Sequence, residues 1–333
     1  MDCATPILDV RSPGEFAQGH IPGAVSLPLF TDAERAEVGI CYKQQGHDQA
    51  VELGFALAGG KFAGFIAQAK QIAPDRQLRL HCWRGGMRSE AVAWVLELAG
   101  FEVSLLKGGY KTFRRWVLHQ FERPKPIVIL GGMTGTGKTD ILQALWGLGE
   151  QVIDLEHLAN HRGSSFGALG LPPQPTQEQF ENALALAWAA IDARRPVWLE
   201  AESRRIGLCR IPDALFTQME QAWLLEIHRP LAERLAYLVE IYGGFPAAEL
   251  IAATERIRKR LGGQRTQAAV QHLQAGQPSA AFELILDYYD RTYQYDLQRR
   301  PRQAESVDVA GLSADQAAGA LKLQTRQPES ALS

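Results

Sequence analysis

Cys82 opens the stretch HCWRGGMRSE (residues 81–90) with a thiol, two glycines and two arginines in close succession. An apolar, strand-like QLRL runs into it, and a helix-like EAVAWVLELAG runs out of it. Backbone NH groups of a tight glycine-rich turn can converge on an anion. The helix that follows adds its positive end. Arg84 and Arg88 add fixed charge, and all three effects favour thiolate over thiol. Cys82 is therefore a candidate nucleophile or carrier of a transferred chalcogen atom, with Arg84 and Arg88 holding an anion beside it. The plainer alternative is a buried structural cysteine at a strand end.

A second stretch, GGMTGTGKTD (131–140), contains Gly132-x4-Gly137-Lys138-Thr139, the full P-loop pattern. It follows the apolar PIVIL and precedes a helical DILQALWGLG, the context that the pattern requires. Gly132, Gly135 and Gly137 let backbone amides wrap a phosphate chain. Lys138 neutralises terminal oxygens, and Thr139 offers a hydroxyl to Mg²⁺. Acids suited to a nucleotide site are less regular: Glu200 and Glu202 end PVWLEAE in place of an aspartate, and Asp154 follows the strand-like QVID. The pattern specifies a phosphate site and leaves ATP hydrolysis open. No dedicated metal site and no bound organic cofactor are expected.

Strand-like and helical segments alternate around these two loops. PILDV, QLRL and EVSLL alternate with AVELGFALAG, KFAGFIAQAKQI and EAVAWVLELAG; then come PIVILGG, QVIDL, PVWLEAE and AWLLEIHR. Strands separated by helices imply parallel sheets covered on both faces, an α/β fold. FERPKP (121–126) reads as a linker because two prolines in three residues resist both helix and central strand. The expected organisation is one α/β domain over 1–120 and a P-loop α/β domain over 127–310, helical and basic from about 231 to 302. A partly flexible segment covers 311–333.

The chain has 333 residues, with 46% hydrophobic, 22% charged and a net charge of −2, which fits a soluble globular protein without an overall pull toward nucleic acid or membrane. Four scattered cysteines without a CxxC pair argue against a disulfide framework or zinc site. No apolar run approaches the roughly 20 residues of a membrane span. The start runs almost directly into PILDV, so no signal peptide is expected. The reading is cytoplasmic.

LDVRSPGEFAQGHIPGAVSLP (8–28) resembles the opening signature of the rhodanese family through Asp9, Arg11, Glu15, Gly19, His20, Ile21, Pro22, Gly23 and Ala24. LKGGYKTFRRW (106–116) resembles its closing segment. The resemblance spans roughly 1–118 and implies a rhodanese-like domain with sulfur or selenium carried on Cys82, while Asp9, Arg11 and His20 brace the fold. Five residues, WRGGM, separate Cys82 from Arg88 where many single-domain rhodaneses have four. A C-x5-R loop also serves rhodanese-fold phosphatases, so a cysteine phosphatase stays open, although no aspartate stands out as its general acid.

ERAEVGICYKQQGHDQAVELG (34–54), DLEHLANHRGSSFG (154–167), EAESRRIG (200–207) and DYYDRTYQYDL (287–297) resemble the tRNA 2-selenouridine synthase family, over about 5–300. That resemblance implies conversion of wobble 2-thiouridine to 2-selenouridine through an S-geranyl intermediate, with tRNA, geranyl diphosphate and selenophosphate as substrates. Cys82 then belongs to the selenium step, Arg84 and Arg88 can hold selenophosphate, and the P-loop can hold either the diphosphate of geranyl diphosphate or a nucleotide. Arg256, Arg258, Lys259, Arg260 and Arg265, with Arg299, Arg300 and Arg302 beside Tyr288, Tyr289, Tyr293 and Tyr295, are candidate tRNA contacts. Basic helices are ordinarily solvated faces and such tyrosines ordinarily core. His161, Arg162, Ser164, Ser165 and Arg204 complete the candidates, with Asp154, Glu200 and Glu202. Two other readings stand beside this one: a P-loop kinase or NTPase fused to a sulfur-carrying rhodanese domain, and an inert rhodanese-like binding module.

Overall fold

The computed structural model describes residues 5–298 and 304–325. They form an α/β fold in two compact units. One unit holds the residues up to Gln120 together with Glu181–Ala185; the other holds Phe121–Phe180 and the chain from Leu186 onward.

In the first unit β1 (Ile7–Asp9), β2 (Val25–Ser26), β3 (Gln77–His81) and β4 (Glu102–Leu105) form a parallel sheet in the order β2-β1-β3-β4. Leu8 of β1 lies opposite Leu80 of β3, and Asp9 opposite His81. The apolar side chains that made these runs strand-like build the core: Leu8, Val10, Leu78, Leu80, Val92 and Leu96 are buried. Cys82 follows directly from β3, and the helix Met87–Leu98 follows the loop. Helices Asp32–Gln44, His47–Ala58 and Phe62–Ile72 pack on this unit, the first of them not foreseen from its polar sequence. Thr31 and Glu34 start it with reciprocal cap bonds, Thr31 Oγ1 accepting from Glu34 N at 3.2 Å and Glu34 accepting from Thr31 N at 2.8 Å. The stretch His47–Ile72 has a mean hydropathy of 1.4 over 18 residues, enough by length and composition to cross a membrane. It passes on composition alone: the stretch is two helices joined by the turn Gly59–Lys61, and its alanines raise the mean without forming a run of large apolar residues.

In the second unit β5 (Ile127–Gly132), β6 (Gln151–Val152), β7 (Val197–Glu200), β10 (Trp223–His228) and β11 (Glu305–Asp308) form a parallel sheet in the order β11-β10-β5-β7-β6. A separate hairpin joins β8 (Arg205–Ile206) to β9 (Cys209–Arg210). All six residues of β5 are buried, as an apolar central strand covered on both faces requires. The chain leaves β5 toward β6 and β7 and later places β10 and β11 on the other side. That reversal opens a crevice at the carboxyl end of β5, where the P-loop stands. Strand β11 and the helix Ala314–Thr325 were not foreseen. Val307, Val309, Ala317, Ala318 and Leu321 pack into the same core as Leu130 and Leu142, so 314–325 is an integral helix rather than a loose end. Its alanine-rich buried face carries little apolar signal. A second cluster, including Leu238, Tyr242, Leu250, Phe282 and Ile285, holds the helices between 231 and 298 together around Phe166.

Candidate functional site

The first unit presents Cys82 in a loop closed from two directions. Gly85 has φ +67°, and a Cβ there would meet Leu106 O at 2.8 Å and the amides of Gly108 and Gly109 at 2.9 Å. Tyr110 N donates to Cys82 O at 2.9 Å and Lys111 N to Trp83 O at 2.9 Å, which explains the LKGGYK motif as the backing of this loop. The thiol is 4% exposed. Ser89 Oγ lies 3.2 Å from Sγ, and Gly86 O lies 3.8 Å from it. Burial opposes ionisation, but bonds from the Ser89 hydroxyl and from the backbone NH groups of Gly86, Ser89 and Arg84 outweigh it and lower the Cys82 pKa. Buried Cys209 accepts from the Gln174 amide, Nε2 to Sγ at 3.7 Å, but burial pushes it up to about 11.

The two arginines of this loop behave differently. Arg84 is exposed, whereas Arg88 pairs with Glu15 at 2.7 Å. Glu15 also accepts from Ser12 N at 3.1 Å. Burial raises its pKa, but the Arg88 contacts lower it further, so it is held ionised. That is the reverse of what a general acid needs, and it weakens the phosphatase reading. Behind the loop Arg11, 1% exposed, donates to Asp9 at 2.9 and 3.0 Å, to Gly19 O at 2.7 Å, and covers the Tyr110 ring at 3.7 Å. His81 lies 3.7 Å from Asp9, and its burial lowers its pKa. His20 stacks on Phe16 at 3.9 Å. Asp9, Arg11 and His20 thus sit as braces.

The second unit holds a cavity of about 580 Å³ along the P-loop, bounded by Gly132, Gly135, Gly137, Lys138 and Thr139. Gly135 has φ +85°, and a Cβ there would meet Arg234 O at 2.8 Å. Lys138 Nζ donates to Gly132 O at 2.7 Å, and Thr139 Oγ1 to Glu156 at 3.2 Å. Glu202 faces the same cavity and shares a hydrogen bond with Glu156. Burial raises the pKa of both, and the negative charge of Glu156 raises that of Glu202 further. Glu202 is the proton-bearing member. Arg162, Ser164, Arg260, Tyr237, Tyr242, Tyr288, Tyr289 and Tyr293 are among the other residues of its wall.

Of the other candidates, Glu200 ends β7 fully buried, accepts from Leu155 N at 3.0 Å and does not line the cavity. Asp154 caps the helix Leu155–Ala159 by accepting from His157 N at 2.7 Å. Ser165 is tied to Tyr289, whose hydroxyl accepts from Ser165 N at 2.9 Å. His161 lies outside the cavity lining, its pKa lowered by burial. Arg204 pairs with Asp213 at 3.3 Å. The basic group is dispersed: Arg256 donates to Ser165 O at 2.6 Å, Arg258 pairs with Glu255 at 3.4 Å, Arg265 pairs with Asp287, and Lys259 is exposed. Within that group only Arg260 reaches the cavity. Arg299, Arg300 and Arg302 lie outside the described residues. Among the described residues no cluster of three or more His, Cys, Asp or Glu suits a metal ion.

The sequence reading missed Glu156, Arg234 and Asp290. Arg234, 4% exposed, donates to Thr134 O at 2.9 Å and pairs with Asp290 at 2.5 Å, pinning the P-loop from behind. Asp290 stands inside DYYDRTY, where no local pattern marks it as the partner of an arginine 56 residues away.

Residues 125–315 match the family described as tRNA 2-selenouridine synthase AAA domain, and residues 1–115 match the rhodanese-like domain. The chain is similar to proteins named tRNA 2-selenouridine synthase from three bacteria. That of Marinobacter nauticus is 38% identical over 89% of each chain, that of Shewanella denitrificans 36% over 90% of each. That of Hydrogenovibrio crunogenus is 39% identical over 89% of this chain and 90% of its own.

Proposed function

Because the chain belongs to the tRNA 2-selenouridine synthase family, we propose that it is a tRNA-modifying transferase that converts wobble 2-thiouridine to 2-selenouridine in two steps. The observation that carries this reading is the pairing, in one chain, of a thiol with a lowered pKa in an anion loop and a phosphate loop with a tyrosine wall.

In the first step the base sulfur attacks C1 of geranyl diphosphate, the C1–O bond breaks, diphosphate leaves with the electron pair, and the base gives up its N3 proton to solvent. Lys138 and the amides around Gly135 and Gly137 take up the charge on the departing diphosphate. The wall of Tyr237, Tyr242, Tyr288 and Tyr293 suits an allylic chain, whose developing positive charge an aromatic face stabilises. This favours the prenyl diphosphate over a nucleotide. Thr139 and Glu156 present hard oxygens 3.2 Å apart, which fits Mg²⁺. When bound, that ion would neutralise the diphosphate.

In the second step selenium from selenophosphate bonds to C2, the C2–S bond breaks, and the sulfur leaves as geranylthiol after taking a proton. Water then cleaves the Se–P bond and releases phosphate. The Cys82 thiolate takes the proton of hydrogen selenophosphate as its selenium attacks and passes it to the departing geranyl sulfur, and exposed Arg84 is placed to meet the selenophosphate anion. Alkylation is what makes the exchange feasible, because a thiocarbonyl sulfur leaves poorly and a thioether sulfur leaves as a thiol. Arg260 on the cavity rim is the basic residue best placed to contact tRNA phosphate.

The test is nucleoside mass spectrometry on 2-thiouridine tRNA incubated with geranyl diphosphate and selenophosphate. Wild type is expected to yield selenouridine, and Cys82→Ser only the geranylated base. An unchanged nucleoside, with ATP turned over in the absence of tRNA, would overturn the reading in favour of an NTPase.

A further inference from the structure

Beside the Cys82 loop, and within the same unit, lies a second cavity of about 250 Å³ that the reaction scheme has not used. Leu29, Phe30, Val51, Phe55, Phe62 and Met87 form its walls. Arg88 and Glu90, from the first turn of the helix that follows the loop, are its charged residues. The cavity shares Leu29, Phe30 and Ala58 with the core cluster that contains Cys82, so thiol and cavity belong to one packed body. Ser89, whose Oγ lies 3.2 Å from Sγ, stands in the chain between Arg88 and Glu90, both of which line the cavity.

The surroundings are costly unless something apolar is meant to enter. Phe55 is 53% exposed and Met87 52% exposed, both on the cavity wall. They sit on or beside the stretch His47–Ile72, whose most apolar window is only 17% buried. Phe55 and Met87 thus leave a half-exposed apolar rim on a cavity whose lining is almost wholly apolar. At 250 Å³ the space falls below the roughly 300–1,000 Å³ of drug-sized ligand sites, which suits a slim chain rather than a ring system.

We propose that this cavity holds the hydrocarbon chain on the sulfur of the alkylated base, so that the C2–S bond is presented to the Cys82 loop with its leaving group already seated. The inference rests on the two-step reading above and adds to it a specificity element for the second step. Binding energy from the chain then positions the reacting carbon, in the way that remote parts of a substrate are used to orient its centre. Each methylene taken out of water is worth about fourfold in affinity, so a ten-carbon chain and a methyl group are well separated.

The experiment compares oligonucleotides carrying S-geranyl- or S-methyl-2-thiouridine, each given selenophosphate alone. Wild type is expected to favour the geranyl substrate by about 100-fold or more in kcat/KM. Val51→Trp, which fills the cavity, and Phe55→Lys, which sets a charge on its already exposed wall, should collapse that ratio toward unity and leave turnover of the methyl substrate near wild type. Direct titration of the S-geranyl oligonucleotide should show the same loss of binding in both variants, independently of turnover. Equal rates for the two substrates in wild type, or an intact preference in both variants, would overturn the cavity assignment while leaving the two-step reading standing. Failure of wild type to convert the geranyl substrate at all would overturn both. A changed oligomeric state in Phe55→Lys with unchanged chain preference would assign the surface to an interface between copies instead.

Discussion

The Cys82 loop and the P-loop share one local design: a parallel strand, a glycine-rich turn and the N-terminus of a helix. They differ in what stands inside it. The first loop surrounds a sulfur with hydrogen-bond donors, from Ser89 and from backbone NH groups, which lower its pKa. The second surrounds a lysine with half-buried carboxyls, Glu156 and Glu202, whose pKa values are raised. One loop has its charge-stabilising groups aimed at its own nucleophile, and the other has them aimed at a ligand. The same backbone geometry therefore makes a reactive centre in one unit and an anion receptor in the other. The residue at the focus decides which.

Both loops are also braced from behind by a buried arginine paired with a carboxylate, and this gives the largest expected effect. Arg11 and Asp9 are 1% and 0% exposed, while Asp290, the partner of Arg234, is 23% exposed. Arg11→Met should therefore strand a fully buried charge and cost about 3–5 kcal/mol. Arg234→Met leaves Asp290 access to water and should cost about 1–3 kcal/mol. Urea unfolding of the two variants measures the difference; equal losses would show that the braces are equivalent after all.

Next in size is the division of labour itself. Lys138→Ala should lower formation of the geranylated base by about 10²–10³, the usual cost of removing a donor to a developing anion. Displacement of geranyl by selenium from a pre-alkylated tRNA should be unaffected by it. Cys82→Ser should do the converse. Single-turnover assays of each step on both variants read the split, and a variant that lost both steps together would dissolve the contrast between the loops. A smaller and purely chemical effect is expected for Ser89→Ala, which should raise the pH midpoint of Cys82 alkylation. Cys209, pushed up to about 11 by burial, should stay unreactive near neutrality throughout.

Both loops were legible in the sequence because each is a contiguous run of residues whose types and order state its geometry. The α/β class was legible for the same reason, in the alternation of apolar runs with helical ones. What supports the loops was not. Arg234 lies 100 residues from the carbonyl it grips and 56 from the carboxylate that holds it, and no local pattern marks either contact. In the basic run around 256–265, Arg265 is answered by Asp287, 22 residues away, which no local pattern marks either. Glu200 and Glu202 were read together at the end of one strand. Only the fold shows that Glu200 turns to the Leu155 amide while Glu202 faces the cavity. Strand β11 and the helix Ala314–Thr325 were hidden because an edge strand and a small-residue helix carry weak patterns.

The smallest effect expected is on the pH dependence of stability, and its sign follows from the carboxyls of the second loop. Glu202 is raised well above its ordinary 4.5 by burial and by Glu156, so between that value and its native pKa the folded chain binds a proton that the unfolded chain has lost. Stability must then fall as pH rises through this window, since it falls wherever the native state holds more protons. Glu202→Gln keeps the shape and a donor toward Glu156 but removes the titration. The variant should match wild type near pH 4.5 and gain on it as the pH rises toward neutrality. Thermal unfolding of both proteins across pH 4.5–8 measures the gap. A constant gap would mean that Glu202 is ionised in the folded protein, and the P-loop cavity would then hold two carboxylates and be a poorer anion receptor than its lysine suggests.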